Sequence, residues 1–195
     1  MAALGLLAGV LTRLTDFFPA DSLWSLSSIA TLFGFWMVTV TLVVYYSASN
    51  ISAGLNAFLF LFFMDISFYG LQSLLGRFLP RFDNGGFKTD LFLLYAGLAA
   101  VCGVAGAVLY CWNRGGALGA VLYALPVGGL LAETLGVGVY CFKAHTYLFQ
   151  LLFDLAGALL IGQWFFRKTE RRGIYTAAAA VTGLAGYSLF YRQFL

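Results

Sequence analysis

Three carboxylates stand inside stretches that are otherwise apolar: Asp65 in LFFMDISFYG, Glu133 in LLAETLGVG and Asp154 in LFQLLFDLAGALLIG. An acid in such a setting has few uses. It holds a proton, binds a cation, serves as half of an acid and base pair on water, or ties helices together as a neutral hydrogen-bond donor. Facing lipid, a central Asp costs about 2.5 to 3.5 kcal/mol, so all three are expected to point into a helix bundle. Their helical neighbours give each a polar stripe. Asp65 shares a face with Tyr69 and Gln72, Asp154 with Tyr147 and Gln150, and Glu133 with Pro126, Gly129, Gly136 and Tyr140. Asn56 and Gln163 fall elsewhere on their helices.

The elements that must position them follow from composition. Of 195 residues, 62% are hydrophobic and only 10% charged, far below the roughly 25% charged residues of soluble domains. Apolar runs of about 20 residues between short polar breaks match the helical length that crosses a hydrocarbon core of roughly 30 Å. The expectation is an all-α, polytopic membrane bundle forming a single transmembrane domain over residues 1–195. Seven spans are expected, near 2–17, 23–46, 51–76, 90–112, 117–142, 146–166 and 173–191, or six if the first, short and carrying Arg13, lies at the interface. Alternating spans put Asp65, Glu133 and Asp154 near one level, with Arg13 the intramembrane cation available to neutralise them.

The net charge of +3 is scattered over loops, so nucleic acid is not an expected partner, and the run RKTERR at 167–172 reads as a membrane-flanking anchor. Lysine and arginine nearly balance: Arg114, Arg167, Lys168, Arg171 and Arg172 on the amino-terminal side face Arg77, Arg81, Lys88, Lys143 and Arg192 on the other. The density of the 167–172 cluster favours a cytoplasmic amino terminus over the opposite orientation. The opening MAALGLLAGVLTRLTDFF lacks a basic leader region and reads as a retained helix. Cys102, Cys111 and Cys141 form no metal spacing with the single histidine, His145, and read as small buried hydrophobes. Neither a metal nor a cofactor is expected, and FDNGG at 82–86 is a turn rather than a phosphate loop.

Small residues recur every fourth place along the fifth span: Gly116, Ala120, Ala124, Gly128, Ala132 and Gly136. Such a ladder lets helix backbones approach closely, which makes this span central. Pro126 interrupts the same span and predicts a kink or local unwinding there.

Three functions fit these residues. One is a transport or binding subunit for a small cationic solute, or a proton-coupled one, using the three acids. Another is an intramembrane hydrolase pairing Asp65 with Asp154, although their contexts MDIS and FDLA lack the flanking glycine of intramembrane aspartyl peptidases. The third is an accessory subunit in which acids and ladder serve packing alone.

The segments LWSLSSIATLFGFW, YYSASN, YALPVGGLLAETLGV and TYLFQLLFDLAGALLIG resemble an uncharacterised family of small polytopic membrane proteins from Firmicutes-type bacteria. That resemblance implies a bacterial cytoplasmic membrane location and no activity. In size and helical design the chain is also similar to the substrate-binding subunits of energy-coupling-factor transporters, whose first helix docks a membrane partner through small residues. Gly5 and Gly9 are similar in kind to that pattern.

Overall fold

The computed structural model describes residues 1–79 and 86–191. The helices in chain order are α1 (Ala2–Leu14), α2 (Ser28–Thr31), α3 (Gly34–Tyr45), α4 (Asn50–Gly76), α5 (Thr89–Leu109), α6 (Gly116–Ala144), α7 (Leu148–Lys168) and α8 (Arg172–Gly186). Short 3-10 turns follow α1 and α5, and a π-helical turn, Tyr187–Tyr191, follows α8. No strand occurs among the described residues. The FDNGG turn lies outside them except for Gly86, as do Arg81 and Arg192.

Five helices are long and apolar enough to cross a membrane: Asn50–Gly76, Thr89–Arg114, Gly116–Ala144, Leu148–Lys168 and Arg172–Tyr191. The chain therefore has the make-up of a multi-pass membrane protein. The first two of the seven expected spans differ. α1 has 13 residues, roughly 20 Å at 1.5 Å per residue, and is too short to span the hydrocarbon core. The expected helix 23–46 is broken: only Ser28–Thr31 and Gly34–Tyr45 are α-helical, and Leu32 between them is extended at φ −104°, ψ 161°.

The chain divides into two units. The first comprises Met1–Asp16 and Leu42–Tyr110. α4 starts at a serine capping box in which the Ser49 hydroxyl accepts from the Ser52 amide and the Ser49 amide donates to the Ser52 hydroxyl. α1 and α5 both pack on α4. A methyl added at Gly5 would collide with the Phe60 carbonyl, and one at Gly9 with the Met64 carbonyl and the Ser67 hydroxyl. The small residues of α1 are thus taken up by α4 of the same chain. On the other flank a methyl at Gly54 would come within 2.9 Å of the Gly103 carbonyl.

The second unit comprises Phe17–Thr41 and Cys111–Leu195. α6 is its central helix: 67% of its most apolar stretch is buried, against 33% or less for the other four spans. The small-residue ladder faces α8. A methyl on Gly128 would strike Thr182 and lie 3.1 Å from the Ala179 carbonyl, and one on Gly186 would come within 2.9 Å of Ala132. Ala120 and Ala124 are buried on the same helix, while Gly136 takes the ring of Tyr191. Gly116 is the exception. It opens α6 with φ +65° and open space around it, so it serves the turn rather than the packing. α6 also runs unbroken through the buried Pro126, and the unwinding expected there does not occur. Among 29 residues one lost amide donor is tolerated when the surrounding backbone ladder is intact.

An irregular stretch leads from residue 18 to α2. Its carbonyls at Leu23 and Trp24 accept from the Leu148 and Phe149 amides, so this stretch caps the start of α7.

Candidate functional site

Interrupting a helix at Leu32 frees backbone amides that apolar surroundings cannot satisfy. Glu133, on α6, answers them. Its Oε1 accepts from the Phe33 amide at 2.7 Å, and the Gly34 amide interacts favourably with the same carboxylate. Glu133 thus performs for α3, from 100 positions away in sequence, the task that Ser49 performs locally for α4. A carboxylate is well matched to it, because a helix amino terminus carries partial positive charge.

Asp154 reaches the same break from α7. Its Oδ1 accepts from the Gln150 side-chain amide at 2.8 Å, one turn away on the helix. Gly34 lies directly against this pair. A methyl there would overlap Asp154 Oδ1 and fall 2.7 Å from Gln150 Nε2. Glycine at position 34 is what lets the amino terminus of α3 approach two acids at once. Glu133 and Asp154 lie within electrostatic range of each other. Both, and Gln150, are fully buried, at 0% exposure. One oxygen of each side chain, Glu133 Oε2, Asp154 Oδ2 and Gln150 Oε1, has no hydrogen-bond partner. Buried polar atoms are rarely left so.

A half-open cavity of about 860 Å³ runs along the same stretch of α6, and neither Asp154 nor Gln150 lines it. Phe33 and Met37 from the start of α3, Gly129, Ala132 and Val137 from α6, and Phe190 and Tyr191 from the π-turn form much of its wall. The wall is overwhelmingly apolar. Tyr140 and Tyr147 line it too, their rings stacked at 5.3 Å and 22°. Glu133 is not itself part of the wall but belongs to the same stretch of α6 as Gly129, Gly136 and Val137. Tyr191 lines the cavity and interacts electrostatically with Glu133 and Asp154.

The second unit therefore brings together Glu133, Asp154, Gln150, Tyr140 and Tyr147. Asp65, Tyr69, Gln72 and Arg13 belong to the first unit. There Asp65 is buried at 4% exposure with Oδ2 unpartnered, and it interacts electrostatically with Tyr69 and Cys102. Tyr69 sits in an aromatic group with Phe68, Phe92 and Tyr95. Gln72 is buried one turn along. Arg13 pairs with Asp16 at 2.9 Å and lies over the Phe68 ring at 4.9 Å. The cause of that ion pair is proximity, three residues along one helical turn.

Sequence reasoning passed over Phe33, Gly34 and Tyr191. The only local sign was a glycine in the run TLFGFW, following the serine-rich SLSS. Among the described residues no group of three or more His, Cys, Asp or Glu side chains is placed to hold a metal.

No protein-family model, curated protein or solved structure matches this chain.

Proposed function

We propose that this protein is a membrane transport or solute-binding subunit whose working centre is the Glu133–Asp154 pair, taking up a proton or a small cationic solute. The observation that carries the reading is the pair of unpartnered, fully buried carboxylate oxygens at the break between α2 and α3, with Asp154 in the electrostatic field of Glu133. Two carboxylates so placed need a proton or a cation between them, since removing charge from water without compensation costs several kcal/mol per ion. The α3 amino terminus offsets part of that cost at Glu133, and Gln150 part at Asp154. Broken helices in membranes serve substrate and ion sites because their freed backbone groups are polar where nothing else is.

Within this reading the chain sits in a bacterial cytoplasmic membrane with five full spans, and α1 and α3 are partial elements. The sequence carries no phosphate-binding loop, so active pumping would require a partner subunit. That partner would dock elsewhere than at Gly5 and Gly9, which α4 already occupies.

The test is proton release on cation addition. Lightly buffered protein, exposed in turn to sodium, tetramethylammonium and larger organic cations, should release up to one proton per chain with at least one of them. Glu133→Gln should release none. An absence of release with every cation, joined to identical pH titration curves for wild type and variant, contradicts the proposal.

A second reading has one observation behind it: Glu133 already has a structural task at α3, and on that ground the acids would be fastenings alone. It accounts for Oε1 and leaves Oε2, Asp154 Oδ2 and Gln150 Oε1 unexplained.

A further inference from the structure

The cavity along α6 narrows the class of solute. We infer that it takes an amphipathic monocation, with one quaternary or protonated centre on an apolar, preferably aromatic, body; this rests on the Glu133–Asp154 site proposed above. Other classes fit less well. A neutral apolar molecule would fill the cavity but leave the charge of the two acids behind its wall uncompensated. An anion would meet two carboxylates. A small inorganic cation would answer the acids but leave about 860 Å³ of apolar space without an occupant.

The dimensions agree. The cavity follows α6 from Gly129 to Tyr140, eleven positions or roughly 16 Å at 1.5 Å per residue. Glu133 stands about 10 Å along the helix from Tyr140. A charge held at the level of the acid pair therefore leaves an apolar body running toward the stacked Tyr140 and Tyr147 rings. Phe33 and Tyr191 are the cavity-lining aromatics tied to the acids, Phe33 through its amide and Tyr191 electrostatically, so their rings can carry the cationic centre by cation-π attraction. Charge balances if the cation replaces a proton. The proton shared by Glu133 and Asp154 passes to bulk water as the cation arrives, and the net charge of the site is unchanged.

Equilibrium binding to the full chain in lipid nanodiscs tests this, using tetraphenylphosphonium as probe and two comparators, neutral triphenylphosphine oxide and the small cation tetramethylammonium. Saturable tetraphenylphosphonium binding is expected at one per chain, at least tenfold tighter than either comparator, with proton release in proportion. Glu133→Gln should weaken it at least tenfold. The comparison among ligands needs no variant, so it holds even if Glu133→Gln folds poorly. Tetramethylammonium binding as tightly as tetraphenylphosphonium, with proton release intact, overturns the ligand class and leaves the acid site standing. Triphenylphosphine oxide binding as tightly as the cation, without dependence on Glu133, overturns both and marks the cavity as a site for neutral lipid.

Discussion

Asp65 in the first unit and Glu133 in the second are equally foreign to the apolar helices that carry them, yet their surroundings differ. Asp65 lies on α4, a helix unbroken from Asn50 to Gly76, in a unit whose helices press backbone to backbone at Gly5, Gly9 and Gly54. Glu133 faces a helix that has stopped and restarted, with a second acid and a cavity beside it. Burial of an acid does not by itself make a site. A site needs local backbone that has given up its own hydrogen bonds and a volume into which something can enter.

The comparison can be broken most forcefully at Gly34. Gly34→Val puts side-chain atoms where Asp154 Oδ1 stands, and overpacking of this kind costs about 1 to 3 kcal/mol or more, here with α3 forced off both acids. A large fall in melting temperature, together with loss of any cation-induced stabilisation, is expected in a thermal unfolding assay. A variant as stable as wild type would mean that α3 does not approach Asp154.

Next in size is the contrast of Glu133→Ala with Glu133→Gln. Alanine strands the Phe33 amide at about 1 to 3 kcal/mol for a buried group left unpaired, whereas glutamine keeps an acceptor oxygen in place. Alanine should therefore unfold much more readily while glutamine stays near wild type in stability and loses proton and cation response. Equal stability of the two would remove Glu133 from the cap of α3.

In the first unit, Gly9→Leu should cost about 1 to 3 kcal/mol by forcing α1 off α4, without changing the cation response of the second unit. Parallel melting and proton-release measurements separate the two effects. The smallest change is expected of Asp65→Asn: stability within about 1 kcal/mol, because the amide is nearly isosteric with the acid, and unaltered proton release. Loss of release in that variant would add Asp65 to the proposed site.

Much of the fold was legible because hydropathy and length together specify a span. Expected boundaries 51–76, 117–142 and 146–166 stand beside Asn50–Gly76, Gly116–Ala144 and Leu148–Lys168. The segment 23–46 misled for a physical reason. Its residues are apolar enough for one helix, and the break at Leu32 is stabilised by a carboxylate a hundred positions away that no local window contains. Pro126 misled in the opposite sense, since of the kink or local unwinding forecast there the unwinding is absent from the continuous α6.

At the site, Glu133, Asp154 and Gln150 were legible as polar groups too costly to leave facing lipid. Phe33 and Gly34 were not, because they contribute amides, and every residue but proline has one. Comparing depths by counting residues grouped Asp65 with the other two acids. Within its own unit, Asp154 interacts electrostatically with Glu133.

The most direct test of the central claim is infrared difference spectroscopy of the carboxyl stretch in reconstituted protein, recorded on a pH step and on addition of tetraphenylphosphonium. The account predicts a protonated-carboxyl band in wild type and in Asp65→Asn that vanishes as the cation binds, and the loss or displacement of that band in Glu133→Gln and Asp154→Asn. A band that ignores pH and cation alike, or one that disappears only in Asp65→Asn, would contradict it.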